Sequence, residues 1–518
     1  MPMTPSEPAA PVPPTEGAPE SSSVGAAPGA PSERRLHPWS WLFVLLAQLR
    51  QFIVPLIAAF FFGGDRNELW PLIGVGVLAL TSALQYLTYR YAVGRDGITI
   101  RSGWLHRQRR EIPYARIHNV SVEQTLLHRL FGVAELRLES AGGRKPEAQM
   151  RVLRLEDAIA LERLVRHRGP ADDVAGSQAE PAAHVLLEMP LGEVLRLGLV
   201  SNRGVILLAA GYAGAMQFSP RLTSNLMEHW SSAMFGWAGE HHFGPAQYAL
   251  AAGTLALAVL ALMRLLSIVL AVLQYAGFRL TEEQQRLTVD RGLLARMRSS
   301  VSRKRLQAWT LHEGVLHRLL KRRSLHVDTA SASPGQEHQR RSLRELAPIA
   351  TPGDCDALIE RLLLPDAHWA QLEWRPLHPR TWLRLFAGGL WFPLVAMAVL
   401  WWKFGAIASL VLLWLAWSAY VARHHARAAG YAINARIVAV RSGWWSRHWR
   451  FAELDKLQAL RLSQGPLDRR WGMATVWLDT AGASPSGTPL RIRCLPEAEA
   501  RALLDQLARI LASRKLRW

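Results

Sequence analysis

Six apolar stretches set in three pairs constrain this chain more than any other feature. Trp41–Phe62 and Leu69–Tyr89 make the first pair, joined by the short Gly63-Gly64-Asp65-Arg66-Asn67-Glu68 turn. Leu197–Phe218 and Ala246–Tyr275 make the second, with a longer loop that carries Trp230, Trp237, His241 and His242. Trp382–Trp402 and Phe404–Val421 make the third and meet at Lys403. Each approaches or exceeds the roughly 20 residues that cross a hydrocarbon layer, where a helix satisfies its own backbone polar groups. Hydrophobic residues are 50% of the chain and charged ones 20%, with mean hydropathy +0.04. The apolar residues are therefore concentrated in blocks and not spread through soluble cores.

A helical hairpin returns the chain to the side it came from, so the three intervening regions and the N-terminal tail are expected on one face of the bilayer. Arg66, Arg221 and Lys403 fall in the connections within hairpins, whereas Arg34, Arg35, Arg90, Arg95, Arg279, Arg380, Arg423 and Arg427 flank the opposite ends. The excess of flanking cations puts that face in the cytoplasm. Residues 1–33, rich in Pro, Ala, Gly and Ser, cannot bury a core and are expected to be a disordered tail. No basic segment followed by a short apolar core appears among them, so the first apolar stretch is expected to direct insertion.

The soluble regions repeat. Gly103, Gly132 and Ala141 recur at the same intervals as Gly443, Gly472 and Ala481, and Gly292, Lys321 and Ala330 keep the spacing in a middle copy. In this register Arg101-Ser102-Gly103-Trp104 matches Arg441-Ser442-Gly443-Trp444, and Arg129, Arg318 and Arg469 coincide. Alternating apolar residues such as Ile98 and Ile100, or Leu136 and Leu138, with turns at Ser102-Gly103 and Gly142-Gly143, predict antiparallel strands. Glu156–Arg166, Asp354–Leu364 and Glu497–Leu511 carry apolar residues at helical spacing behind acidic first turns. A small barrel or curled sheet closed by one C-terminal helix follows for each copy.

Two apolar spans leading into Tyr91-Ala92-Val93, Asp96 to Trp104, Ile112-Pro113, Arg116 to Val120 and Leu130-Phe131-Gly132 resemble the bacterial pleckstrin-homology-like (PH-like) domain. The threefold layout, with Leu197 to Arg203 at the second hairpin, is similar to the YdbT-like membrane proteins. The resemblance implies a membrane α + β protein of the bacterial inner membrane. Three transmembrane helical hairpins, six transmembrane helices in all, would alternate with three PH-like β-barrel domains. The expected boundaries are hairpins at 34–90, 190–276 and 380–422, domains at 91–168, 277–365 and 423–518, and linkers at 169–189 and 366–379. It also implies no established enzymatic activity; a separate reading is assembly, the PH-like barrels packing on one another or on a smaller relative of the same family.

The residues agree with the absence of an enzyme signature. There is no phosphate-cradling Gly-rich loop, His-Glu-x-x-His, Cys-x-x-Cys or Gly-x-Ser-x-Gly. His229, His241, His242, His424 and His425 lack metal-ligand spacing, so neither metal nor cofactor is expected. Cys355 and Cys494 lie in different domains and predict no disulfide framework. Net charge is +20. Without a recognition helix or aromatic stacking platform, that charge does not point to nucleic acid. The basic residues Arg109, Arg110, Arg116, Arg303, Lys304, Arg305 and Lys456 are candidates for anionic lipid headgroups or a protein partner; the alternative is a solvated, aggregation-resistant strand edge. Arg50, Arg203 and Arg264 fall within or beside apolar stretches. They either line a path, as in a transporter or flippase, or snorkel to the interface from an entry helix. The first reading remains a non-enzymatic membrane scaffold, in envelope maintenance or stress response.

Overall fold

A computed structural model describes residues 33–49, 69–103, 106–140, 148–168, 184–218, 220–240, 244–329, 344–363, 369–390, 393–395, 397–398, 401, 410–481 and 488–513. The N-terminal tail, Arg50 and the turn of the first hairpin, His241 and His242, Lys403 and the turn at Gly142-Gly143 lie outside the described residues.

Among the described residues the strands number seven per repeat. Repeat 1 has β1 (Glu33–Arg35), β2 (Arg90–Val93), β3 (Gly97–Ser102), β4 (Gln108–Pro113), β5 (Ile117–Gln124), β6 (Val133–Ser140) and β7 (Ala148–Arg154). Repeat 2 has β8 (His184–Glu188), β9 (Arg279–Glu283), β10 (Arg286–Arg291), β11 (Arg296–Ser302), β12 (Leu306–Glu313), β13 (Arg323–Thr329) and β14 (Glu345–Ala350). Repeat 3 has β15 (Arg375–Pro376), β16 (Gly430–Ile433), β17 (Ile437–Ser442), β18 (Arg447–Glu453), β19 (Leu457–Ser463), β20 (Met473–Thr480) and β21 (Arg491–Pro496). All recorded pairings are antiparallel, such as Ile98↔Ile112 and Leu136↔Val122.

Each repeat packs its strands and a C-terminal helix around buried apolar residues. In repeat 1 Ile98, Ile100, Leu136, Leu138 and Met150 meet Ala158, Leu161 and Val165 of the helix Leu155–Arg168. Pro352–Leu362 starts as its sequence dictates: Pro352 occupies the first turn and the Thr351 side chain accepts from Asp354 N at 3.2 Å. It then buries Cys355, Leu358, Ile359 and Leu362, one stripe at helical spacing. Glu497–Ala512 likewise buries Ala500, Leu503 and Leu507.

The glycine turns explain their own recurrence. Gly103, Gly292 and Gly443 have φ of +98°, +107° and +90°. A Cβ at Gly292 would sit 2.0 Å from the Ala295 carbonyl oxygen, so only glycine fits.

The structure differs from the sequence expectation in three ways. First, β1, β8 and β15 precede the hairpins and pair with β2, β9 and β16, so each hairpin is inserted between the first two strands of its own domain. Those strands fall in residues assigned to tail, hairpin or linker. They are short edge additions, defined by the neighbouring backbone more than by their own pattern.

Second, the repeats are not separate barrels. Two seven-stranded sheets run across the boundaries, in the orders β7-β6-β5-β11-β10-β9-β8 and β14-β13-β12-β18-β17-β16-β15.

Third, among the described residues one helix, Ala246–Tyr275 with 30 residues, is long and apolar enough to cross a membrane. At 1.5 Å per residue it spans about 45 Å. Leu191–Val200 and Arg203–Gln217 form a second such unit only as a pair bent by 55°. Six continuous spans are therefore not seen. The middles of the first and third hairpins lie outside the described residues, and Ser201-Asn202 breaks the second. The loop expected after Phe218 is a helix, Pro220–Glu240, with Trp230 exposed on it.

Candidate functional site at the repeat junctions

The two inter-repeat junctions are built alike. β5 pairs β11 with Ser121 opposite Ser299, and β12 pairs β18 with Thr310 opposite Arg450. In the glycine register those are the same two positions, so the two junctions share one register to the residue. Arg129 and Arg318, which also coincide in the repeat, then reach forward. Arg129 Nη1 donates to the Leu293 carbonyl at 2.8 Å and Arg318 Nη2 to the Trp445 carbonyl at 2.9 Å, each in the glycine turn of the following repeat.

Between repeats 1 and 2 this leaves a cleft of about 460 Å³, lined by Val122, Leu155, Ile159, Leu293 and Met297 and by Arg129, Arg291, Arg296 and Arg298, with Glu162 and Asp290. Its rim is joined to the end of the longest apolar helix. Gly292 N donates to the Ala276 carbonyl and Leu293 N to the Leu273 carbonyl, both at 3.0 Å. The turn thus satisfies carbonyls that the helix C-terminus leaves free. Three of the four arginines are engaged: Arg129 as above, Arg291 with Glu345 at 3.0 Å, and Arg298 with Asp290 at 3.6 Å and Glu162 at 3.7 Å. Arg296 is exposed and makes no side-chain contact of this kind among the described residues. Fixed cations and an apolar wall beside an apolar helix end suit a ligand with an anionic head and an apolar body.

The junction of repeats 2 and 3 is filled instead. Arg450 Nη2 contacts Asp328 at 2.6 Å and its Nη1 donates to Thr310 Oγ1 at 2.8 Å, with both charged residues buried. Lys456 Nζ donates to the Lys304 carbonyl at 2.7 Å. The His312 ring lies 2.8 Å from Ser446 Oγ and packs against His317 and His448. Burial, reinforced by His448, His317 and His326, pushes its pKa down to about 3.

That imidazole is neutral when folded and takes its proton near pH 6.5 when unfolded. Its contribution is complete above about 6.5 and is lost as pH falls from there toward 3. Thermal midpoints measured between pH about 7.5 and about 5 are expected to decline, and His312→Gln to make the decline shallower. An unchanged slope in the variant would remove His312 from the account.

The predicted site residues do not converge. Arg109, ion-paired with Glu111 at 2.6 Å, and Arg110 are exposed on β4, and Arg116 is exposed in the following turn. Arg303 caps a helix end, donating to the carbonyls of Arg361, Leu362 and Leu363 at 2.7, 2.9 and 3.0 Å. Lys304 is exposed, and Arg305 is half-buried with its pKa lowered to about 10 by burial and by Arg286.

Arg264 Nη1 donates to the carbonyls of Leu199 and Ser201 at 3.0 and 3.1 Å and to Asn202 Oδ1 at 3.3 Å. Arg203 contacts Gln274, Tyr275 and Glu345. Both guanidinium groups therefore hold the bend at Ser201-Asn202. Sequence reasoning missed Arg296, Arg298, Arg450 and Asp328. The recurrence of Arg129, Arg318 and Arg469 was the visible signal for a shared role.

Comparison with known proteins places these features in context. The bacterial PH domain family matches residues 42–169, 238–351 and 379–512, nearly three quarters of the chain. A curated relative, the UPF0699 transmembrane protein YdbT of Bacillus subtilis (strain 168), is 22% identical over 307 residues, which cover 55% of this chain. The matched region spans 60% of the relative's own length. No solved structure matches.

Proposed function

Because the chain belongs to the bacterial PH domain family, we propose that it is a non-enzymatic integral membrane protein whose joined PH-like repeats form a platform for anionic lipid headgroups. The observation that carries this is the arginine-lined cleft hydrogen-bonded to the end of the helix Pro245–Tyr275. A lipid whose acyl chains lie along that helix would have its headgroup beside Arg296. The transmembrane description of the Bacillus relative supports the membrane placement. In the full reading all six apolar stretches are membrane-embedded in three hairpins, with the platform on the cytoplasmic face of the inner membrane. Such a platform fits a role in envelope maintenance or stress response.

The test is the ratio of phosphatidylglycerol to phosphatidylethanolamine that remains with the full-length protein after mild detergent extraction. Each cation near an anionic surface contributes about 1 kcal/mol, so Arg296→Ala is expected to lower the anionic enrichment about fivefold. A wild-type ratio equal to that of the surrounding membrane would overturn the lipid reading.

A further inference from the structure

Both junctions consume one strand edge of each kind, and the array leaves one of each open. β11 and β18, fourth in their repeats, pair with β5 and β12, fifth in theirs. Their remaining counterparts are β4, the end of a four-stranded sheet, and β19, the end of a three-stranded sheet, and neither has a partner on its outer side among the described residues. We infer that the β4 edge of one copy of this chain docks on the β19 edge of a second copy, in the register of the two internal junctions.

Counterparts of three contacts of the internal junctions lie on or beside these edges. Arg450 and Asp328 form the buried ion pair; their counterparts by the repeat spacing are Arg110 on β4 and Asp479 beside β19. Both are exposed and lack a side-chain partner among the described residues. Arg129 and Arg318 reach the next glycine turn; their counterpart Arg469 is exposed and also lacks a side-chain partner among the described residues. His312 contacts Ser446; the counterparts are the exposed His106 ahead of β4 and, on β19, the half-buried Ser463, whose Oγ accepts from Trp477 Nε1 at 2.8 Å, the same pair exchanged between strands.

Extending the register puts Gln108 opposite Ser463 and Arg110 opposite Arg461. Arg461 stands where Thr310 stands, so Asp479 would serve two guanidinium groups. The junction between copies is therefore weaker than the internal ones and reversible. Because the two edges differ, the contact is head-to-tail and builds rings or open rows. Strand addition supplies main-chain hydrogen bonds, and the side chains fix the register.

The experiment co-expresses two differently tagged full-length chains, one Gln108→Cys and the other Ser463→Cys, and oxidises the isolated membranes. The native Cys355 and Cys494 are buried, and the chain without added cysteines gives the background. The mixed dimer is expected from this combination and not from either variant alone. Moving the second cysteine to Leu462, on the other face of the strand, is expected to cut the yield at least about fivefold. Asp479→Arg should abolish the dimer, and Arg110→Asp in the partner chain should restore it. Dimers joined through the same site on both copies, a yield indifferent to Asp479→Arg, or no mixed dimer at all would overturn the inference.

Discussion

Arg450→Ala is expected to destabilise the junction of repeats 2 and 3 by about 3 kcal/mol, because it strands a carboxylate in the interior. Asp328 is 5% exposed and accepts from Arg450 at 2.6 Å. Removing one member of a buried pair costs roughly 3 to 5 kcal/mol, chiefly through the uncompensated charge left behind. The remaining contact with Arg344 at 3.0 Å holds the loss at the lower end. Hydrogen exchange of β12 and β18 in the full chain reads it directly, as a lowered opening free energy of those strands. The double change Arg450→Met with Asp328→Leu removes both charges together and is expected to recover most of the stability. If the double variant were as unstable as the single, the buried charge would not be the cause.

Trp309→Ala carries the second large effect. The indole is 2% exposed on β12, stacked on Phe451 of repeat 3 with ring centroids 6.1 Å apart and planes within 2°. Phe451 packs in turn against Trp369 at 4.3 Å, so three aromatic rings from successive segments fill one space. Truncating such a side chain costs about 3 to 5 kcal/mol, from lost transfer energy and the cavity left behind. The core of repeat 1 is a separate cluster. Exchange protection should therefore collapse in β12 and β18 while β6 and β7 keep theirs. Uniform loss across all three repeats would mean that the array melts as one unit.

The parts legible from sequence were those set by spacing along the chain. The glycine intervals located the positive-φ turns, and the apolar stripes located the C-terminal helices to within a few residues. The strands β1, β8 and β15 were not legible, being two to five residues long with no clean alternation. Residues noted for charge also proved to have different duties. Arg303 is spent on helix carbonyls and Lys456 on the Lys304 carbonyl, while Arg109 and Arg110 stay exposed. Charge alone cannot separate these cases, because a guanidinium that caps a helix and one that faces solvent have the same local sequence.

By itself, then, the sequence determined the periodic facts: three apolar pairs, three β-rich repeats in one glycine register, and a capping helix on each. These follow from chain-local physics, the burial of apolar faces and the exclusion of a Cβ from tight turns. Only the tertiary structure decided which edges meet. The backbone N–H and C=O groups of an edge strand are the same in every sequence, so β5 could find β11 in the next repeat without any mark in its own residues. The same freedom, constrained by where Arg450, Asp328 and Trp309 come to lie, made the three repeats one continuous array.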